Sequence, residues 1–516
     1  MLHRLEWTVV DDLHGSNHFP ILVYIQANTR TETRPSFWVL CKANWKVFTH
    51  SIQLPENYTG DVESMAILLE NEIIRAAKES IPRNKGQVGQ SPVPWCNEEI
   101  NEAIRSRKRA LNKLKQHPTM DYLIQYKRLR ARARYLIKES KRTTWRTYIS
   151  SITSYAPTSV IWRKIRSIRG NRTGLTVRGL LVNGNNTTSP EEIAEELATH
   201  FADISSSTHY NVDFLRYKNQ TEQNPIDFSS RRHEDYNDPF TLPELQEALN
   251  RCKPTAPGPD LVHNKMLQNL SLPAQRFLLL LFNRIWIENV FPSGWREAII
   301  IPIPKEGKDQ SKHSNYRPIS LTSCICKLLE RMVNSRLVWV LENKGLLNPI
   351  QCGFRKNRST LDLLLNLSTE ICNSFLRRQH LVAVFLDIQK AYDQTWRYGI
   401  LQTLYSWGFR GNLPNFIRNI MTNRVFRVRV GTTLSNLHYQ ENGVSQGSTL
   451  SVILIIIAIN SITEIVRLLL YSSLFVDDFA IYCTSTHIEI IEHQLQLALN
   501  RLSKFSKIDG IHILSK

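Results

Sequence analysis

The chain has 516 residues, 42% hydrophobic and 22% charged, a balance that excludes a wholly disordered or fibrous protein and leaves room for several domains of roughly 100–200 residues. Its net charge of +19 favours a polyanionic partner and salt-dependent binding. The longest apolar run, residues 452–459, falls far short of the ~20 residues of a membrane-spanning helix; residues 1–13 carry Arg4, Glu6, Asp11 and Asp12 where a secretory signal is apolar, and the cysteines form no CxxC pair, so a reduced, intracellular chain is expected.

Residues 7–26 alternate apolar and polar about Gly15, which predicts two short strands joined by a polar loop. Residues 27–95 read as a linker. From Cys96 the pattern becomes helical, with Tyr122, Tyr126, Leu129, Ala133, Leu136 and Ile137 at three- and four-residue spacing and Pro118 separating this helix from the one before it. Residues 105–172, most of the basic helical region 96–172, contain 20 Lys and Arg against two acids, Asp121 and Glu139, a local excess that nearly accounts for the whole net charge. Arg107, Lys108, Arg109, Lys127, Arg128, Arg130, Arg132 and Arg134 are candidate nucleic-acid contacts, with Trp145, Tyr148 and Trp162 among them as stacking surfaces. The competing reading is a solvated basic helix pair.

Residues 173–239 are expected to be a polar linker. Order resumes where Thr241 and Glu244 form a capping-box spacing with Pro243 in the first turn; TAPGPD, residues 255–260, stops that helix. Helical segments then alternate with strands over residues 298–304, 381–386, 427–430 and 474–482, and residues 452–459 read as buried core. No internal repeat is visible, and an α+β enzyme core over residues 240–516 follows.

Two apolar strands in this core carry acids. LVAVFLDIQKAYD, residues 381–393, contains Asp387, and LLLYSSLFVDDFAIYC, residues 468–483, contains Asp477 and Asp478 at the tip of an expected hairpin. Carboxylates on a buried sheet are costly unless something cationic compensates them. If the strands are neighbours, divalent cations are the simplest compensation. Magnesium fits best, because it takes few carboxylates and completes its shell with water and phosphate. Two such ions suit nucleotidyl transfer. An isolated Asp-Asp pair in a hairpin is more often only a turn.

The context removes that ambiguity. IIIPIPKEGKD (299–309), NYRPISLTSCICKLLERMV (315–333), QCGFRKNRSTLDLL (351–364), FLDIQKAYDQTW (385–396), NGVSQGSTLSVIL (442–454) and FVDD (475–478) stand in an order that resembles the reverse transcriptase domain of non-LTR retrotransposons, in particular the jockey-like elements of arthropods. The resemblance implies right-hand polymerase fingers and palm, with Asp387, Asp477 and the backbone carbonyl of Ile388 binding two magnesium ions, Asp478 beside them, and manganese as a substitute. It further implies Tyr392 beneath the incoming sugar, Gln446 and Gly447 in a turn that reaches template or nucleotide, Lys305 and Arg317 near the triphosphate, and Arg355 and Lys356 on template backbone. Template RNA, a DNA primer or target DNA and deoxynucleoside triphosphates are the implied partners, and a nuclear site follows from the family's mechanism. The sequence departs from the family where Ser445 and Val452 replace prolines and Leu261 replaces the glycine after PGPD.

DDLHGSNHFPI, residues 11–21, resembles the end of the endonuclease/exonuclease/phosphatase-type domain that precedes such polymerases. Residues 1–26 are therefore expected to be its remnant, with Asn17 where an acid should orient His18 and no endonuclease activity. At the other end the thumb is expected to be missing. An active polymerase is the first reading, and a truncated nucleic-acid-binding relic the alternative; a maturase or an RNA-dependent RNA polymerase fits the nuclease remnant less well.

Overall fold

The computed structural model describes residues 5–9, 21–25, 36–84, 95–153, 161–162, 165, 177, 179–182, 184–465, 470–510 and 513–515. It divides into two compact units, Met1–Arg34 with Gly86–Leu175, and Pro35–Lys85 with Thr176–Lys516. In the first unit, strands β1 (Leu5–Val9) and β2 (Ile21–Ile25) pair antiparallel, as the alternation predicts. Gly15, Asn17 and His18 lie outside the described residues.

Residues 36–84 are not a linker. Helices α1 (Trp45–Ser51) and α2 (Val62–Ser80) belong to the second unit. In α2 the Asp61 carboxylate caps the Ser64 amide at 2.8 Å, and Val62, Met65, Ala66, Leu69, Ile73, Ala76 and Ala77 repeat at helical spacing and are all buried in the main core. The apolar stripe is what docks this segment, and reading it as linker missed its period. Helices α3 (Glu98–Gln116) and α4 (Met120–Ser150) return to the first unit and break at Pro118. Asn97 and Thr119 cap them, and Ala110, Tyr126 and Ala133 are buried where they pack together. Lys108, Arg109, Lys127, Arg128, Arg132 and Arg134 are exposed, Arg107 and Arg130 half-buried.

The expected polar linker at 173–239 is also replaced by structure. It holds the hairpin β3 (Leu180–Val182) and β4 (Asn185–Thr187), then α5 (Pro190–Ile204) and α6 (Val212–Glu222). Ser189 caps α5, Pro190 opens it, and Ile193, Ala194, Leu197, Ala198 and Phe201 pack on a sheet face built from Ala298, Ile300, Phe426, Val428 and Val430. In α6, Phe214 stacks edge-on against Trp396 at 5.3 Å.

The core that follows is α+β. Helices α7 (Leu242–Asn250), α8 (Asn264–Gln268) and α9 (Leu272–Glu288) lead into β5 (Glu297–Pro304) and β6 (Tyr316–Leu321). The capping box at Thr241 and Glu244 is present, and Arg336 adds an ion pair to Glu244 at 2.8 Å. Then come α10 (Cys324–Asn343), α11 (Thr360–Leu376), β7 (His380–Ile388), the one-turn α12 (Ala391–Gln394), α13 (Arg397–Ser406) and α14 (Asn412–Met421). The chain continues through β8 (Val425–Val430), β9 (Thr433–Leu434), β10 (His438–Tyr439), α15 (Ser451–Ile459), β11 (Tyr471–Phe475), β12 (Asp478–Ser485), α16 (Ile488–Asp509) and β13 (Ile513–Ser515).

These strands make two sheets. One has the order β10-β8-β5-β6, with β5 and β8 parallel and β9 attached to β8; the other is β11-β12-β7-β13. Helix α15, SVILIIIAI, is the expected buried segment. Among the described residues no helix is long and apolar enough to cross a membrane.

Candidate active site

In the second sheet β7 and β12 run antiparallel with Asp387 opposite Asp478 and Leu386 opposite Phe479, while the Ile388 N–H donates to the Asp477 carbonyl at 3.2 Å. Directly opposed residues have Cα atoms about 4.5–5.5 Å apart. Leu386, Phe479 and Ile481 point into the core, so strand alternation sends Asp387 and Asp478 to the other face, with Asp477 one residue away in the hairpin turn. The structure thus brings together the acids that the sequence singled out.

The turn is held from a separate block. Val476 sits at φ +57°, a left-handed conformation that a β-branched residue adopts only when its surroundings impose it. Gln351, 1% exposed, imposes it: its Oε1 accepts from Val476 N at 2.9 Å and from Gly353 N at 2.8 Å. A Cβ on Gly353 would lie 2.7 Å from Val476 N, which is why glycine stands there. The neighbouring Arg355 is not available to a template. It is buried in an ion pair with Glu342 at 2.5 Å and also donates to the Asn348 and Gln351 carbonyls. Lys356 is exposed.

Two further blocks pack around the segment that follows Asp387. Val444 N donates to the Tyr392 carbonyl at 2.7 Å and Gly443 N to the Thr395 carbonyl at 2.9 Å. Gly443, at φ +74°, comes so near that a Cβ would lie 2.4 Å from the Tyr392 and Asp393 carbonyl oxygens. Burial raises the Tyr392 hydroxyl pKa, and the Asp477 charge raises it further. Gln446 and Gly447 lie in the loop after this contact. Ser320 N donates to the Gln446 carbonyl at 2.8 Å, and a Cβ on Gly447 would lie 2.4 Å from the Ser320 carbonyl.

Beneath that loop lie buried charges that sequence reasoning missed. Glu330 of α10, 1% exposed, accepts from Ser448 Oγ at 2.5 Å, Thr449 N at 2.6 Å and Leu450 N at 3.3 Å. Arg424, 5% exposed, donates to the Trp295 carbonyl at 2.9 Å and to Ser445 Oγ at 3.3 Å. Arg397 donates to the Gly443 and Asn442 carbonyls, and burial, with Arg424 adding to it, lowers its pKa to about 9. These groups line a cavity of about 20 Å³.

A cationic group forms the remaining part of the site. Burial lowers the Lys305 ammonium pKa, the charges of Arg317 and Lys390 lower it further, and Asp393 opposes them. Lys305 Nζ donates to the Ser314 carbonyl at 2.9 Å, and Arg317 is exposed. Asp393 is pushed up to about 6 by burial against the pull of Lys390 and Lys305. Lys390 was not read from the sequence. It takes φ +52° as the residue before α12, and that left-handed turn carries the chain from β7 into α12.

Among the described residues no group of three or more His, Cys, Asp or Glu side chains is gathered closely enough to hold a metal by itself. The carboxylates at the sheet end are hard oxygen donors of the kind that divalent cations take.

The pattern of the family described as reverse transcriptase (RNA-dependent DNA polymerase) matches residues 303–514. Residues 303–514 are a reverse transcriptase domain. The chain is 27% identical over 457 residues to the probable RNA-directed DNA polymerase from transposon X-element of Drosophila melanogaster, covering 85% of this chain and 49% of that protein. It is 25% identical over 461 residues to the RNA-directed DNA polymerase from mobile element jockey of the same organism, covering 87% and 49%. A third relative, the probable RNA-directed DNA polymerase from transposon BS, is 33% identical over 220 residues, 42% of this chain and 24% of that one. The chain spans about half the length of the X-element and jockey proteins. The reverse transcriptase domain contains both acid-bearing strands, the Gln351 clamp, the Gln446 loop, Lys305 and Arg317.

Proposed function

We propose that the chain is an RNA-directed DNA polymerase that extends a DNA primer on an RNA template, as the non-LTR resemblance suggests. One observation carries the proposal: Asp387 opposite Asp478, with Asp477 tied to the same strand end through Ile388. Asp387 and Asp477, with the Ile388 carbonyl, are the groups that would hold two magnesium ions, and Asp478 stands beside them. Bound there, such ions would activate the primer hydroxyl and neutralise the departing pyrophosphate.

The chain's own residues do the positioning. Tyr392, half-buried near Asp477, closes the space beneath the incoming sugar and disfavours a ribose 2′-hydroxyl. Lys305, Arg317 and Lys390 supply positive charge for the triphosphate, a point charge and a planar fork suiting its oxygens. The turn at Gln446 and Gly447 lets backbone and amide approach the template base or nucleotide. In the proposed fingers and palm, Lys305, just after β5, and Arg317, on β6, belong with the first sheet and the acids with the second. Exposed Lys and Arg of α3 and α4, with Trp145 and Trp162, are proposed to hold RNA or DNA, and nuclear action follows from the family's mechanism.

Primer extension on an RNA template with magnesium, comparing this chain with Asp477→Ala, tests the reading. Extension by the parent and loss in the variant are expected. Equal background from both would make the protein a nucleic-acid-binding relic.

A further inference from the structure

The loop after Gly353 holds a side chain that the reading above leaves without a role. Phe354 is 71% exposed and sits at φ +54°. Both facts run against preference, since a phenyl ring gains by burial and a bulky L residue avoids the left-handed region. Neither flank can relax. On one side Gly353 is buried against Val476, with Gln351 Oε1 bonded to both amides. On the other, Arg355 is fixed to Glu342 and to the Asn348 and Gln351 carbonyls. Asn357, at φ +61°, is a second left-handed residue in the same loop.

The outcome is a ring held rigidly in water, one residue from the backbone that supports the Asp477 turn. Conformational strain persists where the surroundings over-determine it, and it gathers at ligand contacts. Exposed Lys356, two residues on, supplies positive charge beside the ring.

We propose that Phe354 is a binding contact for the primer–template duplex, packing its ring on a base or sugar face next to the acidic end of the sheet while Lys356 meets the adjoining phosphate. The proposal rests on the polymerase reading for its partner. A nucleic acid suits the position because aromatic rings accept any base face and a neighbouring ammonium accepts phosphate.

The test uses the full chain and a fluorescent DNA primer annealed to an RNA template, with binding measured at equilibrium in EDTA so that no turnover is needed. Phe354→Ala is expected to weaken binding about tenfold, the effect of losing one base–aromatic stack. Phe354→Trp should keep it within about twofold. Phe354→Gly should bind as weakly as the alanine variant while its thermal midpoint stays equal or rises, because glycine is at ease at this φ. A ring that serves only the fold would lower the midpoint and leave binding unchanged, and that result overturns the proposal. So does equal binding by Phe354→Ala and the parent, or no duplex binding by the parent. Failure of the polymerase reading shows separately, as Asp477→Ala extending primer as well as the parent.

Discussion

Replacing Glu330 should damage the site from below without touching any group that meets substrate. In Glu330→Ala the Ser448 hydroxyl and the Thr449 and Leu450 amides lose their acceptor, and Arg424 loses the anion that faces it. Removing one member of a buried ionic group costs about 3–5 kcal/mol, because the partner charge stays buried. For a domain of this size that is a fall in thermal midpoint of roughly 10 °C. Glu330→Gln keeps an oxygen for Thr449 N and should cost only about 1–2 kcal/mol, the difference between a charged and a neutral acceptor. Ser448 follows Gly447 directly, so a loop released from Glu330 also misplaces Gln446. The dNTP KM should rise in both variants, and more in alanine, by several-fold relative to primer–template affinity. Thermal unfolding and steady-state single-nucleotide incorporation read the two effects. An alanine variant that loses less than about 1 kcal/mol, or a glutamine variant as damaged as alanine, would refute the reasoning.

Glu70 in α2 accepts from Trp295 Nε1 at 2.8 Å, and burial, with Asp260 adding to it, raises its pKa to about 7. The fold therefore favours the protonated acid: the stabilising contribution is complete below the unfolded pKa near 4.5 and is lost as pH rises through about 7. Stability of the second unit should fall from about pH 4.5 to about 7, and Glu70→Gln should flatten that fall, gaining up to about 3 kcal/mol above pH 7; parallel pH–stability curves would contradict this. Leu261 sits at φ +59°, a left-handed conformation that favours glycine. Leu261→Gly should therefore raise stability by about 0.5–1 kcal/mol in urea unfolding, the left-handed strain outweighing the entropy cost of glycine. Binding of RNA by the α3–α4 region should weaken by orders of magnitude between about 50 and 200 mM salt if roughly 6–10 phosphates are contacted, and a flat salt response would reject that role.

What could be read along the chain is what local pattern encodes. Asp387 stands out because it interrupts an apolar strand, and Asp477 and Asp478 because they stand between two apolar runs, where burial makes an acid costly. The capping box at Thr241 and the break at Pro118 are local signals in the same sense. Glu330 and Arg424 carry no such mark. In CKLLERMV and NRVFRVRV a charged residue looks like the solvent side of an amphipathic element. Only packing reveals that Glu330 faces a loop 118 positions further on. Arg355 misled for the same reason, since its partner Glu342 lies on the preceding helix. The supposed linkers were missed through averaging: the stripe Ile193, Leu197, Phe201 is regular, but the polar residues around it dominate the composition.

Ser445 and Val452 stand where the resemblance to non-LTR polymerases implies prolines. A proline stiffens a loop through its own ring, independently of its neighbours. Here Ser445 instead receives a bond from Arg424 and gives its carbonyl to Ser451 Oγ at 2.7 Å, while Glu330 binds the residues that follow. Order in the Gln446 loop thus depends on buried charge rather than on covalent restriction. Such a loop should keep its shape only while the cluster beneath it is intact. Substitutions at Glu330 and Ser445 should then be coupled through Arg424, the double variant losing less than the sum of the single losses in thermal unfolding, and strict additivity of the two would refute this account.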